Sequence, residues 1–160
     1  MTVLDRYIDG DVREDLRERM VFVGGPRQSG KTTFALKLVG ASAVDHPAYL
    51  NWDRDAHRER ILDQQLPPDE PIVVFDEIHK YANWRNLVKG LHDTTPDVSI
   101  LVTGSARLDY YSKGGDSLQG RYHYYRLHPL SLPELVSEPT AEDARTVLRL
   151  GGFPEPLLRG

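Results

Sequence analysis

The sequence contains no cysteine, which excludes disulfides, thiolate metal sites and cysteine nucleophiles. A chain without cysteine is compatible with the reducing cytosol, and we therefore expect a cytoplasmic protein. Long apolar runs are also missing: none approaches the roughly 20 residues that a membrane-spanning helix requires. We accordingly expect no membrane span.

An excess of positive charge is missing as well. The chain carries 20 Lys and Arg residues against 24 Asp and Glu residues, for a formal net charge of -4. This balance disfavours sequence-independent binding to nucleic acid through an overall positive charge. A local basic patch is still compatible with it. The six histidines show no recurring ligand spacing, so we expect no dedicated transition-metal site.

What the sequence does contain is enough apolar material for one folded domain. Its 160 residues fall within the roughly 100–200 residues of a single domain. The chain has 39% hydrophobic and 28% charged residues. Disordered proteins have a lower apolar content and a larger net charge. A folded domain with a substantial core is expected.

Apolar runs alternate with amphipathic segments along the chain. Strands are predicted at 20–23, 48–50, 72–75, 98–102 and 121–128, and helices at 31–40, 54–62, 84–91 and 144–148. Residues 1–18 are predicted to form a short surface helix or a lead-in segment. The alternation predicts an α/β fold, a three-layer α/β/α sandwich around a parallel sheet.

The segment between the first predicted strand and the helix after it fits G-x-x-x-x-G-K-[ST], the pattern of a phosphate-binding P-loop. It consists of Gly25, Pro26, Arg27, Gln28, Ser29, Gly30, Lys31 and Thr32, and is followed by Thr33. The strand-to-helix context favours a P-loop over a glycine turn that merely caps a helix. Backbone N–H groups would face phosphate oxygens, and Lys31 would add a charge for the β- and γ-phosphates. The hydroxyl of Thr32 would ligate Mg²⁺.

Two carboxylates follow the apolar strand 72–75. Asp76 is expected to hold the water shell of the metal, because a P-loop fold needs an acid at this strand end. Glu77 would lie near the γ-phosphate, where it can orient an attacking water or accept its proton. An acidic pair after a strand is usually a solvated loop start, but its combination with a P-loop favours hydrolysis.

Further candidates follow the next strand. Thr103 and Ser105 are expected to hydrogen-bond the γ-phosphate or the attacking water, unless they satisfy backbone groups in a turn. Arg121, and after it Arg107, are candidates for the arginine that neutralises charge on the transferring phosphoryl group. The aromatic and basic residues of 121–128 are also typical of single-strand nucleic-acid platforms, but an amphipathic edge strand is the favoured interpretation.

Further sequence features distinguish between the classes of P-loop protein, namely GTPases, ATPases, small-molecule kinases and nucleotide-binding switches. No asparagine is followed by the lysine of the guanine-reading Asn-Lys-x-Asp motif, so ATP is the expected nucleotide. A small-molecule kinase has no need of a water-activating glutamate and is the second choice. A module that binds ATP with little turnover, and acts as a switch for a partner protein or DNA, also stays open.

Taken together, these motifs resemble the prokaryotic AAA+-type ATPases of the archaeal-ATPase clade. The resemblance rests on the P-loop and on segments 49–53, 75–80, 103–105, 118–121, 127–131 and 151–154. It implies an AAA-like core over residues 19–136 with strand order 5-1-4-3-2, ATP and Mg²⁺ as ligands, and a sensor at 103–105.

The resemblance also bears on the organisation of the chain. In this clade the AAA module precedes a second domain of unknown function, and members continue well past the Gly-Gly-Phe-Pro element. Residues 137–160 are therefore expected to form a C-terminal helix and the start of a second domain, and the chain to be a fragment. A partner protein or a second copy of the chain is an expected partner.

Overall fold

The computed structural model describes residues 4–105, 108, 118 and 120–159, and its centre is a parallel sheet. The five strands are β1 Met20–Gly25, β2 Tyr49–Asn51, β3 Ile72–Asp76, β4 Ser99–Ser105 and β5 Tyr122–Arg126. Their order is β2-β3-β4-β1-β5, and every neighbouring pair is parallel. This is the predicted order 5-1-4-3-2 counted from the opposite edge, so the fold prediction is confirmed.

Seven described α-helices and one short 3₁₀ turn accompany the sheet. The helices are α1 Asp9–Asp15, α2 Lys31–Leu38, α3 Asp55–Leu62, α4 Trp84–Thr94, α5 Leu132–Leu135, α6 Ala141–Leu150 and α7 Pro154–Arg159. The 3₁₀ turn spans Ile78–Lys80. The prediction lacked α5, α7 and the 3₁₀ turn, which are each only three to six residues long and too short for a periodic apolar pattern.

Alternation along the strands divides the core into two layers, one on each face of the sheet. On one face, Met20 and Phe22 of β1 pack in a cluster that includes residues of α3 and α4. On the other face, Val21 and Val23 pack in a cluster with residues of α1 and α2. Helices thus cover both faces, as the three-layer architecture requires. In the described part of the chain, no helix has the length and apolar character needed to cross a bilayer.

The N-terminal helix is more than a surface element. Ile8, Val12 and Leu16 are spaced four residues apart and are each at most 4% exposed. All three belong to the cluster that contains Val21 and Val23. The prediction of a surface helix or lead-in over 1–18 is therefore corrected, because one apolar stripe of α1 completes the core on this face.

The last strand lies at the edge of the sheet, where its aromatic side chains have intramolecular partners. Tyr122 stacks on Phe22 with ring centroids 4.3 Å apart. The hydroxyl of Tyr125 donates to Asp15 at 2.5 Å, and His123 contacts the same carboxylate. These contacts agree with an amphipathic edge strand rather than with an exposed stacking platform.

The burial of α1 predicts a stability difference between two leucines. Leu16→Ala should lower the free energy of unfolding by about 2–4 kcal/mol, because a buried side chain is lost and a cavity is left. Leu148→Ala, at a position 85% exposed, should change it by less than about 0.5 kcal/mol. Urea unfolding followed by circular dichroism measures both, and equal effects would show that α1 is not part of the core.

Candidate functional site

The P-loop connects the carboxyl end of β1 to the beginning of α2, and glycines determine its path. A Cβ atom on Gly25 would collide with the backbone carbonyl oxygen of Leu127. Gly30 has φ +92° and Gln28 has φ +61°, so the loop turns through the left-handed region twice. Glycine adopts this conformation without steric cost, which explains its presence at the last turn before α2.

Lys31, the first residue of α2, is folded back over the loop. Its Nζ donates to the carbonyl oxygens of Gly25 at 3.0 Å and Pro26 at 2.7 Å. Burial lowers the pKa of Lys31, and the carboxylates of Glu77 and Asp76 oppose this effect. The ammonium group therefore lies at the mouth of the loop, near Asp76 at the end of β3 and Glu77 directly after it.

Asp76, at the end of β3, is a carboxylate with donors on both oxygens. Thr103 Oγ1 donates to Oδ1 at 2.7 Å, and Asn51 Nδ2 donates to Oδ2 at 3.2 Å. The hydroxyl of Tyr49 also donates to Oδ2. Burial and the nearby charge of Asp76 raise the pKa of Tyr49, so this phenol stays a donor. Asp76 is thereby fixed by the two neighbouring strands.

This arrangement changes the role expected for the sensor residues. Thr103 was predicted to face the γ-phosphate, but it pairs in register with Asp76 and donates its hydroxyl to that carboxylate. Ser105 lies farther along β4, with its Oγ 3.4 Å from Nε2 of His79. Thr103 therefore orients Asp76. The register between β3 and β4, which the sequence pattern does not specify, produces this difference.

Glu77 has an unusual backbone conformation directly after β3. Its φ is +58°, and its N–H donates to the carbonyl oxygen of Thr103 at 2.9 Å. Its carboxylate lies 3.4 Å from Nζ of Lys80 and 3.6 Å from Nε2 of His79. Burial lowers the pKa of His79 although the charge of Glu77 opposes this. Positive φ outside glycine is strained and concentrates at functional sites.

The P-loop and the two acids line one cleft of about 400 Å³. Its lining comprises Arg27, Gln28, Gly30, Lys31, Thr32, Thr33, Asp76, Glu77, Pro154 and Glu155. Most of the predicted site residues thus meet in one place, with Gly25, Pro26 and Ser29 forming the remainder of the loop. The contribution of α7 was not predicted. The Gly152 carbonyl accepts a hydrogen bond from the N–H of Leu130 at 2.6 Å, which connects the segment before α7 to the chain after β5.

The predicted arginines, unlike the P-loop residues, do not line the cleft in the described part of the chain. Arg121 lies at the amino end of β5, where its carbonyl accepts from the N–H of Met20, whereas the P-loop follows the opposite end of β1. Its Nε is 3.4 Å from Oδ1 of Asp93. A role for Arg121 in the site of its own chain is therefore wrong, and a role in a neighbouring chain stays a prediction. Arg107 lies outside the described residues. Arg27 is exposed and lines the cleft.

The donor set fits a magnesium nucleotide. Mg²⁺ prefers oxygen ligands and is usually held by one or two carboxylates together with substrate phosphates. Asp76 offers carboxylate oxygens and Thr32 a hydroxyl on the cleft wall. These two side chains are the ones that would hold the metal.

Comparison with known proteins gives a family match and several structural ones. A sequence profile described as AAA domain matches residues 17–136. A STAND protein (signal transduction ATPase with numerous domains) with a tetratricopeptide repeat sensor, from Pyrococcus horikoshii, is 14% identical with a TM-score of 0.50. That alignment covers 94% of this chain and 28% of the other. Among curated proteins, none matches the sequence.

Two structures of Pif1 are also similar. Bacteroides sp Pif1 in complex with ADP-AlF4 is 15% identical with a TM-score of 0.45. Bacteroides Pif1 bound to ssDNA is 16% identical with a TM-score of 0.46. Each alignment covers 94% of this chain and 50% of the other, so the chain spans half or less of the length of these structures. At 14% identity and a TM-score of 0.50, the likeness to the STAND protein shows a common fold alone.

The position of Lys31 predicts a specific loss of nucleotide binding. Lys31→Ala should abolish detectable ATP binding while the protein stays folded, because this ammonium group lies at the mouth of the P-loop. Lys89→Ala, on α4 and outside the cleft lining, is the matched control and should bind as the parent does. Calorimetric titration measures both. Retention of ATP binding within a few-fold by the Lys31 variant would contradict the phosphate site.

Proposed function

Because the chain belongs to the AAA-domain family of P-loop nucleoside triphosphatases, we propose that it binds ATP with Mg²⁺ and hydrolyses the terminal phosphate. The observation that carries this proposal is the cleft in which Lys31, Asp76 and Glu77 meet. ATP is preferred over GTP because the sequence has no guanine-reading motif. The client that uses the energy is an unidentified protein or nucleic acid.

Binding is assigned to the loop and to the end of β3. The N–H groups of the P-loop and the ammonium of Lys31 would hold the β- and γ-phosphates. Thr32 and Asp76 would hold Mg²⁺, which supplies charge neutralisation at the phosphates when it is bound. The donors on Asp76 keep this carboxylate aimed into the cleft before any ligand arrives.

Hydrolysis is assigned to Glu77. Its carboxylate lines the same cleft as Lys31 and would orient the attacking water and accept its proton. The strained backbone at Glu77 and its hydrogen bond to β4 set the direction in which this side chain leaves the strand. Lys80 and His79 contact the carboxylate and limit its rotation.

The role of Glu77 predicts that binding and turnover can be separated. Glu77→Gln should retain ATP affinity but lose turnover, because the amide keeps the shape of the side chain and cannot accept a proton. Asp76→Ala should instead weaken Mg²⁺-dependent binding itself. Phosphate release and ATP affinity, measured on the same samples, distinguish the two variants. Equal turnover in the parent and the Gln variant would remove Glu77 from the mechanism.

The positions of the arginines predict different dependence on protein concentration. Arg27→Ala should lower turnover at every concentration, because Arg27 lines the cleft of its own chain. If Arg121 acts in a neighbouring chain, turnover per chain rises with protein concentration in the parent but not in Arg121→Ala. In that case a mixture of Arg121→Ala and Lys31→Ala regains activity that neither has alone. An unchanged rate in Arg121→Ala at all concentrations would exclude this role.

A further inference from the structure

Arg6, in the segment before α1, has its guanidinium buried against the outer side of the P-loop. The residue is 8% exposed. Its Nη1 donates to the carbonyl oxygen of Ser29 at 2.8 Å, and its Nη2 to the carbonyl oxygen of His128 at 2.7 Å. Its Nε donates to Oε1 of Glu134 at 2.8 Å. One side chain therefore connects the P-loop, the chain after β5 and helix α5.

The guanidinium of Arg6 carries a buried charge, which other groups of the protein must compensate. Removing its charge from water is costly unless the group is paired and its donors are satisfied. Here the ion pair with Glu134 is itself buried, with side chains 6% and 5% exposed. The planar fork of a guanidinium places several donors in fixed directions, so the three acceptors specify arginine rather than lysine.

Glu134 holds the guanidinium in place. Its Oε1 also accepts from the N–H of Tyr7 at 3.0 Å, and its Oε2 accepts from the N–H and Oγ of Ser131 at 2.7 Å each. Burial opposes its ionisation, but hydrogen bonds from Ser131, Arg6 and Tyr7 outweigh this and keep the pKa of Glu134 below its usual value. The carboxylate stays charged and fixes Arg6.

The hydrogen bond from Arg6 to the carbonyl of Ser29 fixes the direction of the N–H in the same peptide. In a trans peptide, the C=O and the N–H point in opposite directions. The carbonyl of Ser29 faces Arg6, and the N–H of the same peptide belongs to Gly30, which lines the cleft. This N–H is therefore directed away from Arg6, and its residue borders the cleft. A charged donor on the carbonyl also polarises the peptide and strengthens its N–H as a donor.

We propose that Arg6 is a positioning residue that holds the Ser29–Gly30 peptide with its N–H aimed at the phosphates of the nucleotide. The proposal rests on the proposed ATP binding. It assigns Arg6, far from the P-loop in sequence, to the formation of the phosphate site. It also makes the geometry of that site depend on α5, through Glu134.

The test compares Arg6→Lys and Arg6→Ala with Arg13→Ala. Arg13 is a matched control, since it lies on α1 and pairs with Asp9 on a more exposed surface. Lysine keeps the charge opposite Glu134 but lacks the fork. Thermal unfolding reports folding, calorimetry gives the affinities for Mg²⁺-ATP and Mg²⁺-ADP, and phosphate release gives KM and kcat. The NMR shift of the Gly30 amide in nucleotide-free protein reports the peptide itself.

For Arg6→Lys we expect a folded protein with ATP and ADP affinities reduced alike, on the order of 10-fold. KM should rise while kcat at saturating ATP stays close to that of the parent, and the Gly30 amide resonance should move. A purely structural role would lower the unfolding temperature and leave that resonance and the affinities in place. Arg13→Ala should change neither affinity nor resonance.

The outcomes separate the two proposals. A folded Arg6→Lys protein with parental affinities and an unchanged Gly30 resonance overturns the positioning role. Failure of the parent protein itself to bind ATP overturns the proposed function, while the resonance still reports whether Arg6 orients the peptide. If Arg6→Ala does not fold, the lysine variant decides.

Discussion

The buried carboxylate of Asp76 is the constraint around which the site is organised. A charge that is 4% exposed needs compensating donors, and these come from the two strands on either side of β3. Thr103 of β4 and Tyr49 and Asn51 of β2 supply them. The ammonium of Lys31, itself partly desolvated, adds the opposite charge. The same requirement therefore aligns the carboxyl ends of three strands and leaves oxygen ligands and a cation facing one cleft.

The backbone of the P-loop depends on contacts from outside the loop. Gly25 passes so close to the carbonyl of Leu127 that no side chain fits, which sets the distance between the loop and the chain after β5. Arg6 also contacts this region, and its guanidinium donates a hydrogen bond to the carbonyl oxygen of Ser29 in the loop. Pro154 and Glu155 of α7 then form part of the cleft wall. Segments before and after the sheet thus both shape the cleft that we propose as the phosphate site.

Much of the fold, and part of the site, could be predicted from local patterns. The strands carry continuous apolar runs, and the P-loop has a spacing that needs no tertiary information to recognise. The residues that were missed or misassigned depend on contacts distant in sequence: Arg6 meets Glu134 across 128 positions, and Thr103 meets Asp76 only through the β3–β4 register. Arg121 was considered for the site because it follows a glycine-containing loop, but it precedes β5, and β5 runs parallel to β1, so the amino end of β5 lies at the edge of the sheet opposite the P-loop.

The most direct test of this account is a calorimetric titration of the parent protein with ATP, with Mg²⁺ and again with EDTA. The cleft should bind one ATP per chain, more tightly with Mg²⁺, because Thr32 and Asp76 are placed to hold the metal beside the phosphates. Failure of the folded protein to bind ATP under either condition would contradict the assignment of this cleft as a nucleotide site. An affinity that does not depend on Mg²⁺ would contradict the assignment of Asp76 as its metal ligand.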